Sequence, residues 1–269
     1  MAIITISRGT FSGGKDLAQC LAQRLGYRSI DRESIIANAS ACGASEEKLR
    51  EAIDRPPSFL DHFSEERRRY ITLFQACLSE EARRDGLIYL GNAGHLMLHG
   101  VSHILRVRIV APLEQRAHVV QENLHLSHEE ALAYVEKRDH DRAKWTRFLY
   151  GVDWSDPVLY DLVINLERTT IEEACHVVSG LAAEESFRVT PESQAAIENL
   201  ALSSRVRGAL LNHPESSALV LEVEAKEGVV TLRGKVRNHR QWQAVEEIVK
   251  GTPGVERLVT DDLVQVLDS

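Results

Sequence analysis

The hydrophobic pattern changes period several times along the chain, and each change marks an element. Ala2–Ile6 is a short unbroken apolar run, the signature of a strand buried in a parallel sheet. Three glycines follow between Gly9 and Gly14. From Lys15 to Leu25 a leucine recurs every four residues, at Leu17, Leu21 and Leu25, which predicts an amphipathic helix stopped by Gly26. Residues 27–30 read as a second strand end leading to Asp31, and residues 33–84 as mainly helical with a break at Pro56-Pro57. Leu87–Leu90, Ile104–Ala111 and Leu162–Leu166 are further apolar runs of strand length. Residues 113–149 alternate at helical period, with a capping box at Ser127-His128-Glu129-Glu130. Thr169–Ala183 is a last helix of this region, with Thr170 at its cap. Strands alternating with helices predict an α/β fold, a parallel sheet with helices on both faces.

The pattern then changes. Residues 184–197 are polar and contain Pro191, and read as a linker or a helix–helix connection. After them come a helix over 198–212, two alternating strands at Ala218–Ala225 and Val229–Val236, a helix over His239–Lys250 and a strand at Leu258–Leu267. This αββαβ order predicts a small α+β domain. The expected organisation is therefore 1–183, a linker at 184–197, and a C-terminal domain at 198–269.

Composition narrows the function. The 269 residues carry a net charge of −8, which argues against a general nucleic-acid binder. There are 25 arginines against 7 lysines. A guanidinium fork suits bidentate phosphate contacts, although a GC-rich genome produces the same bias. Cys20, Cys42, Cys77 and Cys175 form no CxxC or metal-ligand spacing, so free, mostly buried thiols of a reducing compartment are expected. His95, His99, His103 and His118 have no zinc-like grouping with cysteine. The N-terminus lacks the features of a signal peptide, and no apolar run approaches the roughly 20 residues of a membrane span, so the cytoplasm is the expected location.

The strongest chemical signal is Gly9-Thr10-Phe11-Ser12-Gly13-Gly14-Lys15-Asp16, which fits G-x-x-x-x-G-K and departs from the general motif at Asp16, where Ser or Thr is usual. It follows a strand and opens a helix, so backbone N–H groups converge on one point and cradle a phosphate. Gly9, Ser12, Gly13, Gly14, Lys15 and Asp16 are the candidate nucleotide-binding residues. Lys15 supplies a compact cation, and the Asp16 carboxylate is the candidate Mg²⁺ ligand. The alternative is a glycine-rich turn with no ligand.

These residues resemble the cytidylate-kinase-like branch of P-loop nucleoside-monophosphate kinases. The resemblance rests on Ile4-Thr-Ile-Ser-Arg8, Ser12-Gly-Gly-Lys-Asp-Leu-Ala18, Leu25-Gly-Tyr27, Asp31-Arg-Glu33, Leu90-Gly-Asn-Ala93, Val107 to Pro112 with Arg116, Asp139-His-Asp-Arg142 and Tyr160-Asp-Leu-Val-Ile-Asn165, and covers about residues 2–182. An acidic residue at the place of Asp16 is usual in this branch, while Asn92 stands where an arginine is usual, and Phe11 replaces a glycine. The resemblance implies phosphoryl transfer from ATP to CMP or dCMP with Mg²⁺. It implies lid roles for Arg138 and Arg142, beside Lys15, and a place for Asp31, Arg32, Arg116 and Asp139 on the substrate side. Spacing alone also allows the lid charges to be exposed ion pairs, and Asp31 to be a helix cap.

The last 70 or so residues resemble the BON domain, on Ser204-Arg-Val206, Gly228-Val-Val-Thr-Leu-Arg-Gly234 and Gly254-Val255. That resemblance implies binding of a protein, a lipid or a small ligand, without an active site. The competing reading of the whole is a non-catalytic, nucleotide-responsive module whose BON domain engages a partner or a membrane surface. No nucleic-acid partner is expected, and nothing in the sequence sets an oligomeric state.

Overall fold

β1 (Ile3–Arg8), buried along almost its whole length, is the central strand of a five-stranded sheet ordered β2-β3-β1-β4-β5. The computed structural model describes residues 1–38, 45–47, 49–50, 65–84 and 86–266. β2 is Arg28–Asp31, β3 Leu87–Leu90, β4 Ile104–Val110 and β5 Leu162–Asn165, and all neighbours pair in parallel. α1 (Gly14–Leu25) connects β1 to β2 and ends on Gly26, whose φ of 68° is the left-handed cap that glycine adopts without strain. A short helix, α2 (Arg32–Ala37), follows β2. α3 is Glu65–Ala82 and α4 is Gly94–Met97. α5 (Leu113–Leu124) and α6 (His128–Tyr150) lie between β4 and β5, and α7 (Ile171–Ala183) follows β5. The boxes expected at Ser127 and Thr170 are both formed, with Glu130 and Glu173 returning to the cap amides. The break expected at Pro56-Pro57 lies outside the described residues.

The chain divides into two compact units. The first contains residues 1–34 and 84–190. Its core lies on one face of the sheet, where Ile4, Ile6, Ile88, Leu90, Leu105, Val107 and Ile109 meet Leu17 and Leu21 of α1 and Ala174, Cys175 and Val178 of α7. Each buried aliphatic side chain contributes roughly 1.5–3 kcal/mol, so this layer holds α1 firmly against β1. A second small cluster, Ala117 and Val120 against Ala131 and Val135, joins α5 to α6.

The cysteines correct the expectation of free thiols. Cys20 of α1 and Cys175 of α7 form a disulfide with Cα atoms 6.2 Å apart, at a sequence separation of 155. No cysteine among the described residues is free. The pair meets because α1 and α7 lie side by side on the same sheet face, a juxtaposition that no local spacing reveals.

The second unit contains α3 and residues 191–269. Its first helix, α8, runs Pro191–Asn212, so part of the segment expected to be a linker is helical; before it, Glu185–Phe187 form a 3₁₀ turn. Proline suits a first helical position because its missing N–H would have no partner there. β6 (Leu221–Lys226) and β7 (Val229–Val236) pair antiparallel, and β7 pairs in parallel with β8 (Arg257–Gln265). α9 (His239–Lys250) and α8 cover one side of this sheet through Leu202, Val206, Val245 and Val249, completing the αββαβ order. α3 packs along α8, with Leu73 against Gly208, an ion pair between Glu80 and Arg205, and Arg69 donating to Asn212 at 2.9 Å. α3 thus groups with the C-terminal residues.

Two expected outcomes follow from this packing. His95, at the start of α4, is 7% exposed, and its Nε2 has no hydrogen-bond partner. Burial, aided by Arg106 and Arg108, pushes its pKa down to about 4. The unfolded chain therefore takes up this proton first, and His95 destabilises the fold as pH falls from the ordinary histidine range toward 4. A drop from pH 7 to pH 5 should cost about 2 kcal/mol, removed in His95→Phe, as measured by urea unfolding at each pH. Loss of the Cys20–Cys175 disulfide, which closes a long loop, should lower stability by about 2–5 kcal/mol, read as the difference between Cys175→Ser and wild type in the same assay without reductant.

Candidate functional site

Between Arg8 and Gly14 the backbone makes a tight strand-to-helix turn. Gly13 sits at φ 80° as the N-cap of α1, with no side-chain cap, so the first amides of the helix are left for an external partner. Phe11 is a non-glycine residue at φ 55°. It packs against the buried cluster of Ala117 and Val120 on α5 and Ala131 and Val135 on α6, which offsets the strain and explains why the loop tolerates a departure from glycine. The buried Ser12 hydroxyl donates to the Gly9 carbonyl at 3.1 Å and closes the turn from inside. Among the described residues, the amides from Phe11 to Asp16 make no hydrogen bond, whereas that of Thr10 donates to Asp139 Oδ1 at 3.1 Å.

Guanidinium groups surround this turn. Arg8 folds its side chain over Gly14, where a β-carbon would collide with the arginine stem. Its Nε is buried without a partner, and burial, reinforced by the Arg32 charge, lowers its pKa below the usual guanidinium value. Arg142, on α6, donates from Nη1 to Thr10 Oγ1 at 2.7 Å, to the Arg8 carbonyl at 3.3 Å and to Asp139 Oδ1 at 3.2 Å. Burial first, then Arg8, pushes its pKa down to about 10 against the opposing pull of Asp139, so it stays charged at neutral pH. Arg116, on α5, donates to Asp139 Oδ2 at 2.5 Å and to the Thr10 carbonyl at 3.4 Å, and it leaves no room for a β-carbon at Gly9. These cations stand beside a helix N-terminus, itself partly positive, in a protein of net charge −8. The concentration is local and calls for an anion.

The expected residues divide as follows. Gly9, Ser12, Gly13 and Gly14 form the turn, and Lys15 and Asp16 lie exposed in the first turn of α1. Asp139, Arg116 and Arg142 converge on Thr10. Asp31 does cap α2: its Oδ1 accepts from the Ser34 amide at 2.8 Å and hydroxyl at 2.7 Å. Burial works against ionisation of Asp31, but these bonds and the Lys15 charge outweigh it and keep its pKa below the usual carboxylate value. Arg32 is paired with Glu33 at 2.9 Å and also acts on Arg8 and Arg142 through its charge. Arg138 is exposed and stacked on Tyr134 of its own helix at 5.4 Å, while its charge still acts on Arg142. Asp16 has no grouping of three or more metal-ligating side chains around it among the described residues.

Sequence reasoning left out Arg8, Thr10 and Tyr89. Arg8 was visible as the residue just before Gly9. The other two were not, because their roles arise from what folds over them. Tyr89 is fully buried, its hydroxyl pKa raised by burial, and Gly91 and Gly94 lack side chains because the Tyr89 ring fills that space. Asn92 donates to Thr146 on α6 at 3.3 Å.

Comparison with known proteins agrees with this geometry. Residues 3–168 match the model of the cytidylate kinase-like family, and residues 199–266 match that of the BON domain. A cytidylate kinase of Ignicoccus hospitalis is 30% identical over 169 residues, 61% of this chain and 90% of that protein. A cytidylate kinase of Sulfolobus acidocaldarius is 26% identical over 187 residues, covering 68% of this chain and 96% of its own length. A solved structure from Eubacterium ventriosum, an uncharacterized protein, superimposes with a TM-score of 0.53 at 16% identity, covering 69% of this chain and all of that one. With a five-stranded parallel sheet, a glycine-rich strand-to-helix turn and a family match over more than half its length, this chain belongs to the cytidylate kinase-like family.

Proposed function

We propose that the protein is a nucleoside-monophosphate kinase that transfers the terminal phosphoryl group of ATP to CMP or dCMP. The observation that carries the reading is the gathering of Arg8, Arg116 and Arg142 at a turn whose amides are free from Phe11 to Asp16. Phosphoryl transfer asks a protein mainly for positioning and charge neutralisation, and this cluster supplies both. The turn amides and Lys15 take the donor phosphates. Arg142 and Arg8 neutralise charge on the group in transit, while Asp139 orients Arg116 and Arg142 against the loop. Asp31, Arg32 and Arg116 belong to the acceptor side in this reading, and Arg138 joins them only by a change of rotamer away from Tyr134.

Mg²⁺ bound with nucleotide would neutralise part of the phosphate charge. The exposed Asp16 carboxylate, in the first turn of α1, fits as one protein ligand. That is consistent with an ion that takes most of its ligands from phosphates and water.

One observation favours a second reading, a nucleotide-responsive module without turnover. The Thr10 amide and hydroxyl already hold Asp139 and Arg142. A coupled ADP-release screen over all common nucleoside monophosphates, beside calorimetry with ATP, separates the two. Turnover highest with CMP or dCMP supports the kinase; ATP binding without transfer to any acceptor rejects it in favour of the module. Lys15→Ala should lower kcat/KM by at least about a hundredfold, the scale of losing a charge-stabilising donor. Arg8→Met should lower kcat/KM by about 10–100-fold without lowering Tm, because it removes a buried, uncompensated cation from the empty protein. Steady-state kinetics and a thermal melt on the same preparation check both halves.

A further inference from the structure

The sheet of the first unit has two unlike faces. Opposite the aliphatic core, β1 and β4 turn Thr5, Ser7, Arg106 and Arg108 inward, and Ser7 lies in register with Arg108. The two arginines share a face but not an environment. Arg106 is bound to Asp161 by three hydrogen bonds: its backbone amide at 2.8 Å, Nε at 3.0 Å and Nη2 at 2.5 Å. Arg108 is 7% exposed and has no carboxylate within ion-pair distance among the described residues.

Arg108 instead grips neutral groups. Its Nη1 donates to the Trp154 carbonyl at 2.6 Å and to the Tyr160 hydroxyl at 3.3 Å. The guanidinium carbon lies 4.1 Å from the centre of the Trp154 ring and 5.4 Å from that of Tyr160. The Tyr160 hydroxyl donates to the same Trp154 carbonyl at 2.7 Å and lies 3.3 Å from the Ser7 hydroxyl. A buried charge with no carboxylate in ion-pair contact is costly, and an apolar side chain would fill the same volume more cheaply. What the cation adds is a directional hold on one segment, the turn that begins at Gly151, the C-cap of α6.

α6 carries Asp139 and Arg142, the two side chains that reach the loop. Its C-terminal half is tied to the polar sheet face at two places. Asn92 donates to Thr146, whose hydroxyl donates to the Arg142 carbonyl at 3.0 Å, and Arg108 with Tyr160 pins Trp154 just beyond the helix end. We infer that Arg108 is a positioning residue. Through the carbonyl and ring of Trp154 it fixes the C-terminal end of α6, and so sets where Asp139 and Arg142 stand over the phosphate loop. It does not touch the reacting groups. The consequence for catalysis rests on the kinase reading; the hold on α6 does not.

The test is hydrogen exchange on the full chain, read beside ATP affinity and kinetics, for wild type, Arg108→Met and Arg108→Lys. Arg108→Met should speed exchange across residues 142–160 by about tenfold or more, leave α1 and the C-terminal unit unchanged, and weaken ATP binding by about tenfold. Arg108→Lys keeps one donor for the Trp154 carbonyl and should fall between the two. Unchanged exchange at 142–160, or faster exchange spread evenly over the chain, overturns the inference. If Arg108→Met does not fold, Tyr160→Phe is read by the same criteria. Wild-type protein that binds ATP but transfers nothing, with exchange still rising at 142–160 in the variant, sinks the kinase reading and leaves the positioning role standing.

Discussion

Two glycines leave their side-chain space to arginines, and the functional end of the sheet depends on that substitution of space. Arg8 lies where a β-carbon of Gly14 would be, and Arg116 where one of Gly9 would be. A single methyl group at either position would push a cation away from the turn. With the glycines in place, the chain brings charged groups against a helix N-terminus whose own amides remain open. Like charges at such proximity are unfavourable in an empty protein, which is the physical reason to read the cluster as built for an anion.

The same turn explains how the two faces of the sheet share the work. The aliphatic face locks α1 to β1 and α7, and a disulfide between Cys20 and Cys175 adds a covalent tie to that packing. The polar face holds Arg108, Trp154 and Tyr160 in a hydrogen-bonded and stacked layer. A rigid layer beneath the loop and a directional layer beneath α6 together place the catalytic candidates without any one of them being confined to the loop itself.

The C-terminal residues form their own small sheet, braced on its open face by Arg233 between Glu224 and Asp262 at 3.0 and 3.2 Å. Ion pairs this exposed contribute little stability, so the unit relies on the packing of α8 and α9 over Val223, Val230 and Leu232. Its helix α8 also packs against α3, which lies in sequence between β2 and β3. Sequence position therefore does not decide to which unit a helix belongs; the apolar face it presents does, as Leu73 against Gly208 illustrates.

Local signals were enough for the elements and for the loop. Alternation and leucine spacing located the strands and α1, the Ser-x-x-Glu and Thr-x-x-Glu boxes located two helix starts, and the glycines before Lys15 announced a phosphate turn, because each of these is enforced within a few residues of chain. Tertiary structure alone decided the rest. It stacked Arg138 on Tyr134 while Arg142 reached the loop, turned Asp31 into a cap, joined Cys20 to Cys175 at a sequence separation of 155, and gave Arg106 an ion-paired carboxylate that Arg108 lacks among the described residues. A side chain's partner is chosen by which strands and helices pack side by side, and that depends on contacts between distant parts of the chain that no local spacing encodes.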